Sequence, residues 1–124
     1  MAPVSSPIAK TTARRLARYA ERYAALQAEL QGLGFVCGGS VQTRHLQCGK
    51  PTCGCHANPA SRHGPYHYWT RKIGGKTVSV VLTDEEVPLY RGWIANSRTL
   101  DRVVRKMRRL SAQAAALSTG RRTP

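Results

Sequence analysis

Cys48-Gly49-Lys50-Pro51-Thr52-Cys53-Gly54-Cys55 is followed, after a small-residue loop, by His63-Gly64-Pro65-Tyr66, and the chain changes character on either side of this stretch. Three of the four cysteines fall within eight positions. The Cys48-x4-Cys53 spacing lets two thiolates of one loop hold a single zinc ion. Cys53-x-Cys55 is tighter than the common two-residue gap, and Gly54, lacking a Cβ, is expected to let the backbone fold that closely. Gly49 and Pro51 shape the first loop, whose N–H groups can bond to the sulfurs and orient them. Lys50 adds a positive charge that favours the thiolate.

Spacing leaves the fourth ligand open. His63 is the first choice, because binding there would clamp a sheet to the cysteine loop. His45, with an H-x2-C spacing, and Cys37, eleven residues upstream, are the alternatives. His56 adjoins Cys55 and is poorly placed for the same ion, and Cys37 reads as a buried free thiol before it reads as a ligand. Reduced cysteines with no metal at all are the bland reading. Four cysteines without an evident secretory signal predict a reducing compartment, the cytoplasm, and a metal in place of disulfides.

A Cys3His shell is closed, whereas catalytic zinc keeps a water position and works beside an acid or base. All six acidic residues lie outside residues 30–83. The expectation is therefore a structural zinc formed by Cys48, Cys53, Cys55 and His63, and no enzymatic activity.

Upstream, residues 1–10 with Pro3, Ser5, Ser6 and Pro7 read as a disordered lead, and Thr11 or Thr12 as the N-cap of a helix over 12–32. Leu16, Tyr19, Tyr23, Leu26, Leu30 and Leu33 recur in steps of 3, 4, 3, 4 and 3, the coiled-coil type of seam. Gly32 and Gly34 are expected to end it in left-handed caps. A strand is expected over about Gly39–His45. Downstream, Tyr66 and Tyr68 alternate with His67 and Trp69, then Gly74-Gly75 separates this run from Thr77–Leu82, the signature of a tight hairpin. Thr83 and Glu86 have capping-box spacing. Pro88 is expected to open the main helix over 88–117, with Trp93, Leu100, Val103, Met107, Leu110, Ala114 and Leu117 as its seam.

These readings predict an α+β fold in one domain over 11–118, with a basic tail at 119–124. A zinc knuckle and hairpin over 36–83 would form an antiparallel sheet of about three strands. The N- and C-terminal amphipathic helices would flank it, pairing with each other or across a homodimer. No segment is apolar enough to span a bilayer.

Lys and Arg number 20 against 6 acidic residues, a formal charge of +14. Such an excess of one sign favours a polyanion, DNA before RNA. Lys50, the hairpin's Arg71, Lys72 and Lys76, and the stripe Arg98, Arg102, Arg105 and Arg109 are the expected phosphate contacts. Tyr66, Tyr68 and Trp69 are the expected stacking groups, against the alternative that they pack on the sheet. The two helical seams support a different reading, a zinc-stapled adaptor or dimer that binds no nucleic acid.

Cys48-Gly-Lys-Pro-Thr-Cys-Gly-Cys55, His63-Gly-Pro-Tyr66-His-Tyr68, Gly75-Lys76 and the Arg-rich helix after Val87 together resemble a small prokaryotic family of unknown function. Its pattern reads C-G-K-P-x-C-x-C, then H-G-P-Y-x-Y, a basic hairpin and a C-terminal helix. The similarity covers roughly residues 38–110 and leaves Cys37 outside the pattern. It implies a zinc-ribbon-like domain associated with mobile elements, and brings no established activity.

Overall fold

The computed structural model describes residues 7–121. Residues 1–6 of the expected lead and 122–124 of the expected tail lie outside the described residues. The order is helix α1 (Pro7–Gln31), strands β1 (Ser40–Leu46), β2 (His63–Ile73) and β3 (Lys76–Leu82), then helix α2 (Glu86–Thr119). Two compact units form, one from residues up to Gly34 together with those from Thr99 on, the other from Phe35–Arg98.

In the first unit α1 begins ahead of the expected Thr11 or Thr12 cap, so residues 7–10 are helical and not part of a lead. Proline fits this start, because the first helical N–H has no partner and the ring presets φ. The seam reads off the burial pattern: Leu26 is buried, and Leu16, Tyr19, Tyr23, Leu30 and Leu33 are half-buried. Gly32 and Gly34 are not among the glycines of positive φ. The helix ends instead in a tightened turn, with Leu33 N–H donating to the Leu30 carbonyl at 3.1 Å. Left-handed capping occurs at Gly120, φ 70°, directly after α2.

The two helices of this unit pair within the chain and run antiparallel. Glu29 meets Arg102 at 3.4 Å, while Tyr19 lies beside Leu110 and Ala114, nearer the far end of α2. Both partners of the ion pair are substantially exposed, so it contributes at most about 1 kcal/mol. The apolar seam is the stronger force, and Val103 has none of its surface exposed. Val103→Ala should lower unfolding stability by about 2 kcal/mol, the sum of lost transfer energy and the cavity left behind. Denaturant titration measures it, and an unchanged midpoint would count against the pairing.

The second unit is built on a three-stranded antiparallel sheet in the order β1-β2-β3. Gly74 and Gly75, at φ 56° and 80°, make the two-residue turn between β2 and β3. Cross-strand register puts Val41, Trp69 and Val80 in one row and Thr43, His67 and Leu82 in the next, all on one face. That face packs on the start of α2. The Trp69 ring lies 4.9 Å from Tyr90, and Tyr90 lies 5.1 Å from Trp93. Leu82 and Ile94 are buried, at 4% and 5% exposure. The segment before β1 is clipped to the same helix, with Cys37 N–H donating to the Trp93 carbonyl at 3.0 Å and Asn96 to the Phe35 carbonyl at 2.9 Å. His67 stands between Thr43 Oγ1 at 2.9 Å and Asp84 at 3.3 Å.

The capping box forms in both directions: Thr83 N–H donates to Glu86 at 3.0 Å, and Glu86 N–H donates to Thr83 Oγ1 at 3.2 Å. The Thr83 backbone N–H, then its side chain, hold the Glu86 carboxyl below the usual carboxylate range. The cap is therefore complete at neutral pH and is lost as pH falls through the lowered value. α2 begins at Glu86 and not at Pro88. Pro88 is tolerated as the third helical residue because the first four N–H groups of a helix have no intrahelical acceptor.

Candidate metal centre

β1 ends at Leu46 and the chain turns at once into the cysteine loop. Cys53 N–H donates to the Lys50 carbonyl at 3.1 Å, closing the turn between the first two cysteines. A short 3-10 turn, Gly54–His56, then carries Cys55 inward until only 1% of its surface is exposed. A second, Pro59–Ser61, is capped by Asn58, whose side chain accepts from Ala60 N–H at 3.1 Å. From there the chain enters β2 at His63.

The pairing of β1 with β2 slips at this end. Arg44 faces Tyr66 but Leu46 faces His63, so β2 holds one residue more than β1 across the gap. Such a bulge re-aims a side chain, and here it turns His63 toward the cysteines. Gly64 has φ 129°, and a Cβ there would sit 2.8 Å from the Arg44 carbonyl oxygen and 3.0 Å from Tyr66 N. The Gly64–Pro65 peptide bond is cis.

One ligand atom from each of Cys48, Cys53, Cys55 and His63 lies within 4.8 Å of the others. Cys55 Sγ is 3.6 Å from Cys48 Sγ, and Cys53 Sγ is 3.4 Å from His63 Nε2. A zinc ion with sulfur at about 2.3 Å and nitrogen at about 2.0–2.1 Å sets tetrahedral S···S and S···N edges of about 3.8 and about 3.5 Å. These two of the six edges fit that geometry, and all four cysteines are free of disulfides.

The sulfurs also compete for charge in the way a cation resolves. The Cys55 backbone N–H, then His63 and the neighbouring thiols, pull the Cys53 pKa down to about 6. Cys48 N–H donates to Cys55 Sγ at 3.3 Å and favours that thiolate. Burial and the Cys53 and Cys48 sulfurs outweigh this bond and push the Cys55 thiol up. One thiolate is formed readily while its neighbour resists. A divalent ion at the centre removes the conflict by replacing the protons.

The alternative ligands stand elsewhere. His45 and Cys37 are outside the cluster, and His56 Nε2 lies 2.8 Å from the Cys48 carbonyl oxygen, tying the loop's two ends. Gly54 does not carry the role expected of it: a Cβ there would meet nothing within 4 Å, and its φ is not positive. The backbone constraint sits at Gly64, ahead of which the H-G-P-Y run was the available signal. Arg44, which sequence reasoning passed over, holds its guanidinium 5.3 Å from the Tyr68 ring.

Of the expected nucleic-acid contacts, Lys50, Lys72, Lys76, Arg98, Arg105 and Arg109 are exposed. Arg102 is engaged with Glu29. Arg71 lies over the Trp69 ring at 3.7 Å, and Trp69 Nε1 donates to the Gly38 carbonyl at 2.8 Å. With Tyr90 against it as well, Trp69 serves the packing of the sheet on α2. Tyr66 and Tyr68 lie on the opposite face, Tyr66 with 41% of its surface exposed.

Fold and site define the chain as an α+β protein in which one helix precedes and one follows, along the chain, a three-stranded antiparallel sheet bearing a Cys3His cluster able to hold a metal ion. Residues 10–92 match the family described as "Domain of unknown function (DUF6788)", and the chain belongs to that family. No curated protein and no solved structure matches it. Among the described residues no helix is long and apolar enough to cross a membrane.

Proposed function

We propose that the chain is a zinc-stabilised nucleic-acid-binding protein of the cytoplasm, with DNA as the first partner and no catalytic step of its own. The Cys3His donor set, with two of its edges at tetrahedral length, supports zinc, and its four protein ligands leave no position for a reacting water. The observation that carries the binding reading is the charge of the sheet and knuckle. Residues 30–83 hold Arg44, Lys50, Arg62, Arg71, Lys72 and Lys76 and no acidic side chain. No internal partner in that stretch neutralises them, so a polyanion is the complementary surface. The first unit adds Arg105, Lys106, Arg108 and Arg109, all exposed.

A salt titration of binding to labelled DNA tests this reading. Each neutralised phosphate contributes a log–log slope of about −0.9, so four contacts lose about 100-fold in affinity between 50 and 200 mM salt. Affinity indifferent to salt, or no retention of DNA at 50 mM, overturns it.

One observation favours the adaptor reading instead. Leu26, Ala25 and Leu110 floor a groove of about 400 Å³ on the helix pair, flanked by Arg22, Lys106 and Arg109. A chain that retards no nucleic acid and forms a stable dimer or heteromer would place function there.

A further inference from the structure

We infer that the outer face of the sheet is a stacking surface for single-stranded nucleic acid, with Tyr66 as its main contact and Tyr68 beside it. The inference rests on the nucleic-acid reading and names the form of the polymer.

Register fixes which residues share this face. Gln42, Tyr68 and Val81 form one row, Ser40, Thr70 and Ser79 the next, and Lys72 and Thr77 the third, with Arg44 opposite Tyr66 at the other end. α2 covers the inner face around Trp69 and Leu82 and leaves Val80 42% exposed, whereas on this face Tyr66 is 41% and Val81 62% exposed. Thr70 and Ser79 bond to each other at 3.0 Å, so the middle of the face makes no strong demand for an outside polar partner. The face thus offers aromatic area at one end and cations at both, Arg44 by the tyrosines and Lys72 toward the hairpin turn. That pairing is what a strand of bases on a charged backbone requires.

Two geometric facts select single strands over duplex. Residues two apart on a strand are separated by about 6.6–6.8 Å. Bases in a duplex strand rise only about 3.4 Å apiece, so neighbouring bases meet Tyr66 and Tyr68 only after unstacking. A duplex has no free base faces along its length, and its major groove admits a helix or a two-stranded ribbon. A third strand adds about 4.8 Å of width to that ribbon. Three-stranded and broad, this sheet suits an open strand laid across it.

The test is fluorescence anisotropy of the zinc-loaded full chain with a labelled eight-nucleotide DNA, the same sequence as RNA, and the DNA as duplex. The single strands should bind at least 10-fold tighter than the duplex, and the DNA and RNA arms show which is preferred. Tyr66→Ala should lose about 10-fold in single-strand affinity and leave duplex affinity unchanged. Tyr66→Phe keeps the ring and should stay within about 2-fold of the parent. Equal zinc content in both variants excludes unfolding as the cause. A duplex bound as tightly as single strands, or a Tyr66→Ala variant that binds like the parent, overturns the inference. If that binding is still salt-dependent, the general nucleic-acid reading survives. If neither polymer binds at low salt, both fall.

Discussion

Cys55→Ser is expected to abolish stoichiometric zinc binding and to unfold the sheet-bearing unit, the largest effect of any single substitution in the chain. Cys55 is one of the few buried positions, and within its own unit only Leu82 and Ile94 share that degree of burial. A core so small cannot offset the entropy of ordering residues 35–98 unaided, and small folds of this kind rely on a metal staple. Serine removes a ligand and leaves a hydroxyl facing two sulfurs in a closed space. Metal analysis should give one zinc per parent chain and much less than one in Cys48→Ser, Cys53→Ser and Cys55→Ser. Near-ultraviolet circular dichroism of the Trp69–Tyr90–Trp93 cluster should collapse with the metal, because binding and folding are linked. A full complement of zinc in all three variants would refute the assignment. Acid should act in the same direction as the substitution. The Cys53 thiolate is stabilised in the fold, with a pKa of about 6, so its contribution is present above the ordinary thiol range and lost as pH falls through that value. Cys55, pushed up, gives its proton to solvent chiefly when the metal arrives. Zinc addition at neutral pH should therefore release protons, measurable in weak buffer.

Much of this arrangement was legible in the sequence where one local rule acted alone. The 3/4 seam of α1 needs only a single apolar neighbour, and all six of its residues lose exposure. Gly74-Gly75 and the Thr83–Glu86 pair are short-range devices that behave alike in any fold. α2 was harder because its two ends bury different sides. Val103 and Leu110 serve the helix pair, but Tyr90 and Ile94 lie off that seam and pack in the sheet unit. A single periodicity drawn along the whole helix therefore misses them. Trp69 was ambiguous for a related reason: alternation fixes which residues share a face and leaves open which face meets a helix. The metal ligands could be narrowed by spacing, but the choice of His63 over His45 depended on a bulge. Spacing along one strand carries no information about slippage against its neighbour.

That bulge makes Gly64→Ala the second large effect expected, although Gly64 contributes no ligand atom. At φ 129° an L-residue is strained, and the new Cβ would meet the Arg44 carbonyl oxygen at 2.8 Å, Tyr66 N at 3.0 Å and His45 Cα at 3.3 Å. All three are backbone atoms of paired strands, so no side chain can swing aside. Relief requires opening the β1–β2 pairing between Arg44 and Leu46, and the residue carried away with it is His63. The expected outcome is a 10- to 100-fold loss of zinc affinity, the range found when groups that orient metal ligands are disturbed. Competition with a chromophoric chelator measures it. Gly49→Ala is the matched control, since a Cβ there meets nothing within 4 Å although the residue adjoins the ligand Cys48. Equal loss in both variants would point to general sensitivity of the loop. Undiminished affinity in Gly64→Ala would mean that the ligand at this corner does not depend on the bulge. A loss confined to Gly64→Ala ties zinc affinity to the strand register, and links the H-G-P-Y run to the cysteines through the backbone.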